Sequence, residues 1–326
     1  MSATHHHTGR HEKEADDVAH VVVFAPAPLL TVTVEQEGDH ESVHLHAGGQ
    51  GVWQARMLAA MGRTVTLCAA FGGETGRVAR SLLGDDGFDV VSIERASWNP
   101  AYVHDRRGGA RHVVAETDDE ALSRHELDEL YAATIREGST ASLVVLSGPH
   151  AEAVPSDTYR RLASDLRGLG VMVMADLAGE RLRSVVAGGV DVVKVSHEEL
   201  RDDGIVDDPH DEAELIRAMR ELHDAGASQV IVSRAERGAL VLHDGRALRF
   251  AAPDMEVVDT KGAGDSLTAA AAAMLAAGMP FRLAVAVGVA AGALNVTRHG
   301  LGSGDRGAIL ALAEHVTCEP VEGAVP

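Results

Sequence analysis

Along the chain, apolar positions first gather in the run His20-Val21-Val22-Val23-Phe24, closed by Pro26 and Pro28. Consecutive apolar residues between breakers predict a buried strand and its exit. Residues 30–35 and 42–46 alternate instead, which predicts short, partly exposed strands. "GGQGVWQARMLAAMG" opens on glycines, carries a helical apolar spacing and stops at Gly62. "TVTLCAAFG" reads as a strand, residues 76–83 as a helix, and "AYVHDRRGGARHVVAE" as a hairpin folded around Gly108 and Gly109.

Beyond the hairpin the pattern is regular. "SLVVLSG", "VMVMAD", "DVVKVS" and "QVIVSR" read as strands, interleaved with helices near residues 157–169, 180–186, 197–201 and 211–225. The strand pair "GALVLHDG" and "RALRFAAP" follows. Such alternation predicts an α/β fold: a mainly parallel sheet covered by helices on both faces, with ligands at the carboxyl ends of its strands. One domain is expected over residues 19–326, with a small β-sheet lid from about residues 29–47 and 98–117. Residues 267–296 are very apolar, but Gly278-Met279-Pro280 divides them into halves too short to span ~30 Å of hydrocarbon. They predict two buried helices.

Charge narrows the function. With 29 Lys and Arg against 49 Asp and Glu, the net charge of -20 argues against nucleic acid or an anionic membrane as partner. A locally positive pocket for a small anion stays open. Cys68 and Cys318 fit neither a disulfide framework nor a zinc spacing, which points to a reducing, cytoplasmic setting and no structural metal. The polar, His-rich head at residues 1–18 has no apolar signal core and reads as disordered.

The chemistry concentrates in "VVDTKGAGDSLTAAAAAML". Small residues at a helix start, here Gly262, Ala263 and Gly264, let backbone N–H groups approach an anion, and the helix dipole favours negative charge there. A transferring phosphoryl group suits such a nest. A neighbouring carboxylate, Asp265, can take the proton of an attacking hydroxyl. The competing reading is that Asp265 merely caps a helix over residues 266–277.

The longer run Asp259-Thr260-Lys261-Gly262-Ala263-Gly264-Asp265 resembles the carboxyl-terminal signature of the PfkB/ribokinase family of carbohydrate kinases. Gly48-Gly49-Gln50-Gly51, followed by Ala55-Arg56-x-Leu58-Ala59-x-x-Gly62, resembles the family's amino-terminal signature. The spacing looks closest to the branch of 1-phosphofructokinases and tagatose-6-phosphate kinases. The resemblance implies a ribokinase-like fold, MgATP at the carboxyl edge of the sheet, Asp265 as base and the glycine turn as anion hole. It also implies that Lys194 approaches the phosphates and that Glu199 organises Mg2+ through water. Ser233 and Gly238, in a match to Ser-x-Gly-x-x-Gly-Ala, would contact the nucleotide, and Asn295, near Gly300, would line the adenine pocket. A homodimer through the lid is implied as well.

On the acceptor side the chain departs from that branch. Leu29 stands where an Asp holds sugar hydroxyls, Gln50 replaces a Lys, Trp53 replaces an Asn, and Asn99-Pro100 falls on the lid Thr-Arg pair. Gly48, Gly49, Gln50, Trp53 and Leu29 are therefore the candidate acceptor residues. Losing both cations removes charge-assisted contacts to an acceptor phosphate. Fructose phosphates become doubtful substrates, unless Arg106, Arg107 or Arg111 on the hairpin restores positive charge. Asp176 resembles the branch's Asp-Thr-Ser-Gly, or simply caps a turn, and His150 either faces the acceptor or lies on a surface loop. The expectation is an ATP-dependent sugar or sugar-phosphate kinase; the alternative is a nucleotide-binding regulatory protein of kinase descent.

Overall fold

The computed structural model describes residues 19–109, 111–148, 153–297 and 304–321; the His-rich head, His150 and Gly300 lie outside them. The chain runs β1 (His20–Phe24), β2 (Leu29–Glu37), β3 (His40–Gly48), α1 (Gln50–Ala60), β4 (Thr64–Phe71), α2 (Gly73–Leu83), β5 (Asp89–Glu94), β6 (Ala101–Asp105) and β7 (His112–Glu116). It continues α3 (Arg124–Gly138), β8 (Leu143–Ser147), α4 (Ser156–Gly168), β9 (Met172–Asp176), α5 (Gly179–Ala187), β10 (Val190–Ser196), α6 (His197–Asp202), α7 (Glu212–Ala225) and β11 (Ala227–Ser233). Last come β12 (Ala239–His243), β13 (Arg246–Ala251), α8 (Ala263–Ala276), α9 (Phe281–Asn295), α10 (Arg306–Ala313) and β14 (Thr317–Pro320).

Ten strands form one sheet in the order β14-β13-β12-β11-β10-β9-β8-β1-β4-β5. From β11 to β5 every neighbouring pair is parallel; β12, β13 and β14 add an antiparallel margin. The apolar run of β1 works on both faces: Val21 and Val23 join one core with α1, α8 and α9, while Val22 and Phe24 join the other with α3, α4, α5 and α7. Strands buried on both faces read as continuous apolar runs, which is what the sequence showed.

The lid is a separate four-stranded sheet, β3-β2-β6-β7, in which β2 and β6 run parallel. Its two faces differ. Thr33 and His104 pair across β2 and β6 on the buried face, whereas Val43 and Leu45, 59% and 43% exposed, sit on the opposite face beside Val34 and Val32.

Four elements lie outside the sequence expectation: β5, α3, α10 and β14. β14 is exposed at all four positions, so it offers no apolar pattern. α3 is signalled by Ser123 and Glu126, which form a reciprocal capping box.

The alanine run in α8 is explained by packing. Ala269 to Ala273 are all buried, because α8 is enclosed by α1, α9 and the sheet. A methyl carbon at Gly288 of α9 would stand 2.7 Å from Leu267 O and 3.1 Å from Ala271 Cβ. The glycine is what lets the two helices touch. Gly288→Ala is expected to lower stability by about 1–3 kcal/mol, the cost of overpacking, read as a lower urea midpoint with unchanged slope.

Candidate active site

The carboxyl ends of β8, β9 and β10 carry Ser147, Asp176 and Lys194, all buried. Asp176 and Lys194 are register partners on adjacent strands, and Lys194 Nζ donates to Asp176 Oδ1 at 3.1 Å. Thr268 of α8 donates to Asp176 Oδ2 at 2.7 Å, and Gln54 of α1 donates to the same oxygen at 3.0 Å. Ser147 Oγ donates to Gln54 Oε1, which fixes the direction of the Gln54 amide. Asp176 is thus no turn cap: its side chain is buried under three donors from three elements.

Asp265 sits above this network. Helix α8 begins at Ala263, three residues earlier than the sequence suggested, and its N-cap is Gly262 in the left-handed region at φ 75°. Asp265 therefore lies in the first turn rather than at the cap, and it is half-buried. Gln54 Nε2 lies 3.5 Å from Asp265 Oδ1. Burial, then the charge of Asp176, push the Asp265 carboxyl up to about 7, against the pull of Lys194; Glu199 adds to the rise and a hydrogen bond from Gln50 opposes it. Burial alone would lower the Lys194 ammonium, but Asp176, Glu199 and Asp265 outweigh it and hold it above its ordinary value. Burial likewise raises Asp176, with Lys194 as the chief opposing influence.

The small residues of the nest have separate reasons. Gly262 supplies a positive φ that L side chains rarely adopt. Gly264 leaves room for Lys194, whose Nζ would stand 2.8 Å from any added methyl carbon. Asn295, placed by resemblance along the adenine pocket, is 1% exposed: its Nδ2 donates to Lys261 O at 2.7 Å and its Oδ1 accepts from Ser266 at 3.1 Å. Its side chain braces the loop before α8.

The remaining candidates fall into two groups. Glu199 closes a capping box with Ser196 while its charge reaches Asp265 and Lys194. Ser233 ends β11, and Gly238, at φ 72°, closes the turn behind it. Buried Arg234 ties that turn to Glu212 at 2.6 Å, an anchor with no motif to announce it. On the other side, a methyl carbon at Gly48 would meet Leu29 Cδ1 at 3.3 Å and Trp53 Nε1 at 3.4 Å, so these three candidate acceptor residues form one contact. Gly49, at φ 104°, passes close to Ala27 O. Gln50 accepts from Gly148 N at 2.9 Å and links it to Asp265. Asn99 is wholly structural, bridging Pro28 O, Ala70 O and Gly72 N.

A parallel α/β sheet whose rim holds a glycine-capped helix start, a fixed ammonium and a carboxylate near neutrality defines a small-molecule phosphotransferase. Comparison gives the family. The model described as pfkB family carbohydrate kinase matches residues 22–306, and the chain belongs to that family. It is 31% identical over 308 residues to the ATP-dependent 6-phosphofructokinase isozyme 2 of Mycobacterium tuberculosis, covering 91% of this chain and 89% of the relative. It is 27% identical to the 1-phosphofructokinase of Bacillus subtilis, covering 79% and 84% respectively. The phosphofructokinase-2 of Escherichia coli, crystallised in complex with potassium, superposes with a TM-score of 0.79 at 24% identity, over 91% of this chain and 99% of that one. The fold is ribokinase-like, and the protein is a sugar or sugar-phosphate kinase of the pfkB family, a phosphotransferase acting on hydroxyl acceptors. No helix among the described residues is long and apolar enough to cross a membrane.

Ala235 stands where the motif has glycine, and it adopts φ 49°. A side chain in the left-handed region costs roughly 1–2 kcal/mol, partly offset by a stiffer unfolded chain. Ala235→Gly is expected to raise stability by up to about 1 kcal/mol on urea denaturation; a lower midpoint would show the turn is unstrained.

Proposed function

We propose that the chain transfers the γ-phosphoryl group of ATP to a hydroxyl of a sugar or sugar phosphate other than a fructose phosphate, with Asp265 as general base. The observation that carries this reading is the half-buried Asp265 carboxyl, held near neutrality in the first turn behind the left-handed Gly262 cap. Asp265 would take the acceptor's proton while the amides of Gly262, Ala263 and Gly264 receive charge on the migrating group. Lys194, already fixed by Asp176, adds positive potential without reorganising. Ser233 and Gly238 suit the nucleotide, with Asn295 supporting the nest from behind.

Mg2+ prefers oxygen donors and is usually held by one or two carboxylates together with substrate phosphates. Glu199, a half-buried carboxylate at the rim, fits that pattern as an indirect, water-linked partner. When bound, the ion would neutralise charge on the triphosphate. Neither the family nor the intact Gly262 to Asp265 turn favours a regulatory role without transfer. The acceptor pocket of Leu29, Gly48, Gly49, Gln50 and Trp53 offers an apolar wall and amide groups in place of the branch's Asp and Lys, which supports a different sugar from fructose phosphate.

The proton step has a pH signature. A carboxyl raised to about 7 is protonated and inactive as a base below that pH, so kcat/KM should rise through pH 7 and level off above it. Asp265→Asn is expected to lower transfer by about 100- to 10,000-fold and abolish this rise, while ATP affinity by titration calorimetry stays nearly unchanged. A large loss of ATP affinity instead would assign Asp265 to structure.

The exposed apolar lid face supports a homodimer formed lid to lid, since it removes Val43 and Leu45 from water and shelters the open edges of β3 and β7. Light scattering should give a dimer for the native chain and a monomer for the double variant Val43→Asp, Leu45→Asp. A native chain that is monomeric at micromolar concentration would remove this assignment.

A further inference from the structure

The lid carries a second concentration of chemistry that phosphoryl transfer does not use. Across β2 and β3 the run "EQEGDHESVHLH" places Glu35 and Glu37 two apart on one strand, and His44 and His46 two apart on the next. Residues two apart in a strand share a face. The register joins the two pairs: Thr33 lies opposite His44, Glu35 opposite Ser42 and Glu37 opposite His40. All of them belong to the Thr33 face of the lid, which is opposite to that of Val43 and Leu45.

Three side chains of this face converge. One donor atom each of Glu35, Glu37 and His44 lies within 4.8 Å of both others. His44 Nε2 and Glu37 Oε1 are 3.3 Å apart. Two ligands held ~2.0–2.2 Å from a tetrahedral ion stand roughly 3.3–3.6 Å from each other, so this pair already has the spacing of one edge of such a site. The His46 ring stacks on that of His44, 10° from parallel, which limits how far the His44 imidazole turns. An ordinary His–Glu pair would account for His44 and Glu37. It gives Glu35 no reason to join them, because its charge repels that of Glu37. Arg106, 3.9 Å from Glu35, stands only at the outer limit of an ion pair.

We infer that Glu35, Glu37 and His44 form a site for a divalent transition ion of the zinc class, bridging β2 and β3 near the free end of the lid. An imidazole beside carboxylates suits such an ion better than Mg2+ or Ca2+, which take oxygen ligands throughout. Three protein ligands leave a position for water. His44 and Glu37 are 40% and 63% exposed, so the ion can enter from solvent. The cysteines lack a zinc spacing, but these ligands come from one face of a hairpin instead. The site lies at the end of β2 and β3 remote from Leu29 and Gly48, so it stands or falls apart from the transfer chemistry.

The histidines of the head also suit such ions, so the test uses the full chain with His5, His6, His7 and His11 each changed to Ala. Zn2+ is titrated by calorimetry in the presence of excess Mg2+. One equivalent should bind in the micromolar range or tighter, and amide exchange over residues 35–44 should slow when it does. His44→Ala and the double variant Glu35→Gln, Glu37→Gln should each weaken binding about tenfold or more. His125→Ala, which removes a comparable exposed pair with Glu129 on α3, should leave it unchanged. Without metal, the melting temperatures of all variants should match that of their parent, since none of these side chains is buried. Binding that needs millimolar Zn2+, that yields to Mg2+ or that survives His44→Ala would overturn the site. Unchanged exchange over residues 35–44 at saturating Zn2+ would overturn it equally, by placing the ion elsewhere.

Discussion

Everything at the rim hangs on one ion pair buried between adjacent parallel strands. Asp176 and Lys194 face each other in register at the ends of β9 and β10, where water cannot solvate either charge. Isolated, each would cost several kcal/mol to bury, and removing one partner of such a pair typically costs roughly 3–5 kcal/mol. The pair is affordable only because Asp176 also accepts from Thr268 and Gln54. Those donors come from α8 and α1, so a single carboxylate registers two helices against the sheet. The same pair bears on local sequence: Lys194 lies against Gly264, and a side chain there would push its ammonium aside.

Asp265 takes its chemistry from this arrangement. A carboxylate beside a lone ammonium would be a weak base, fully ionised but reluctant to accept a proton. Here burial, and after it the charge of Asp176, which shares the ammonium, raises the Asp265 carboxyl against the pull of Lys194. The helix that carries it cannot shift easily, because α8 is buried on every side and its contact with α9 is made through glycine. Rigid packing and charge pairing thus hold the Asp265 carboxyl and the amides of the first turn of α8 at fixed separation.

The sheet and the small-residue start of α8 were legible in the sequence because their constraints are local. β1 needs apolar residues on both faces, and the Gly262 to Asp265 turn needs small residues at consecutive positions. Gln54, Thr268 and Ser147 were not legible. They act across separations of 92 to 122 residues, and nothing nearby distinguishes a buried Thr on an alanine-rich helix from a surface one. Asn295 stands apart from these: the motif pointed to its position, and the structure adds that its amide holds the loop before α8, a role that depends on where α9 ends. β14 was missed because an exposed edge strand pairs through its backbone and leaves no pattern in its side chains.

The acceptor side follows a different logic from the donor side. Donor chemistry needs the same charge at the transferring phosphoryl whatever the acceptor. Acceptor recognition needs only that some set of groups match some molecule. Gln50 illustrates the exchange: where the resemblance leads one to expect a cation, a neutral amide now spans from Gly148 N to the Asp265 carboxyl. Asn99 has likewise become a strut between the lid root and the sheet. On the lid itself, Arg111 bonds to His104, which pairs with Thr33 on the face opposite Val43 and Leu45. A sheet has two faces of alternate side chains, so one lid can leave valine and leucine exposed on one side while burying threonine and histidine on the other.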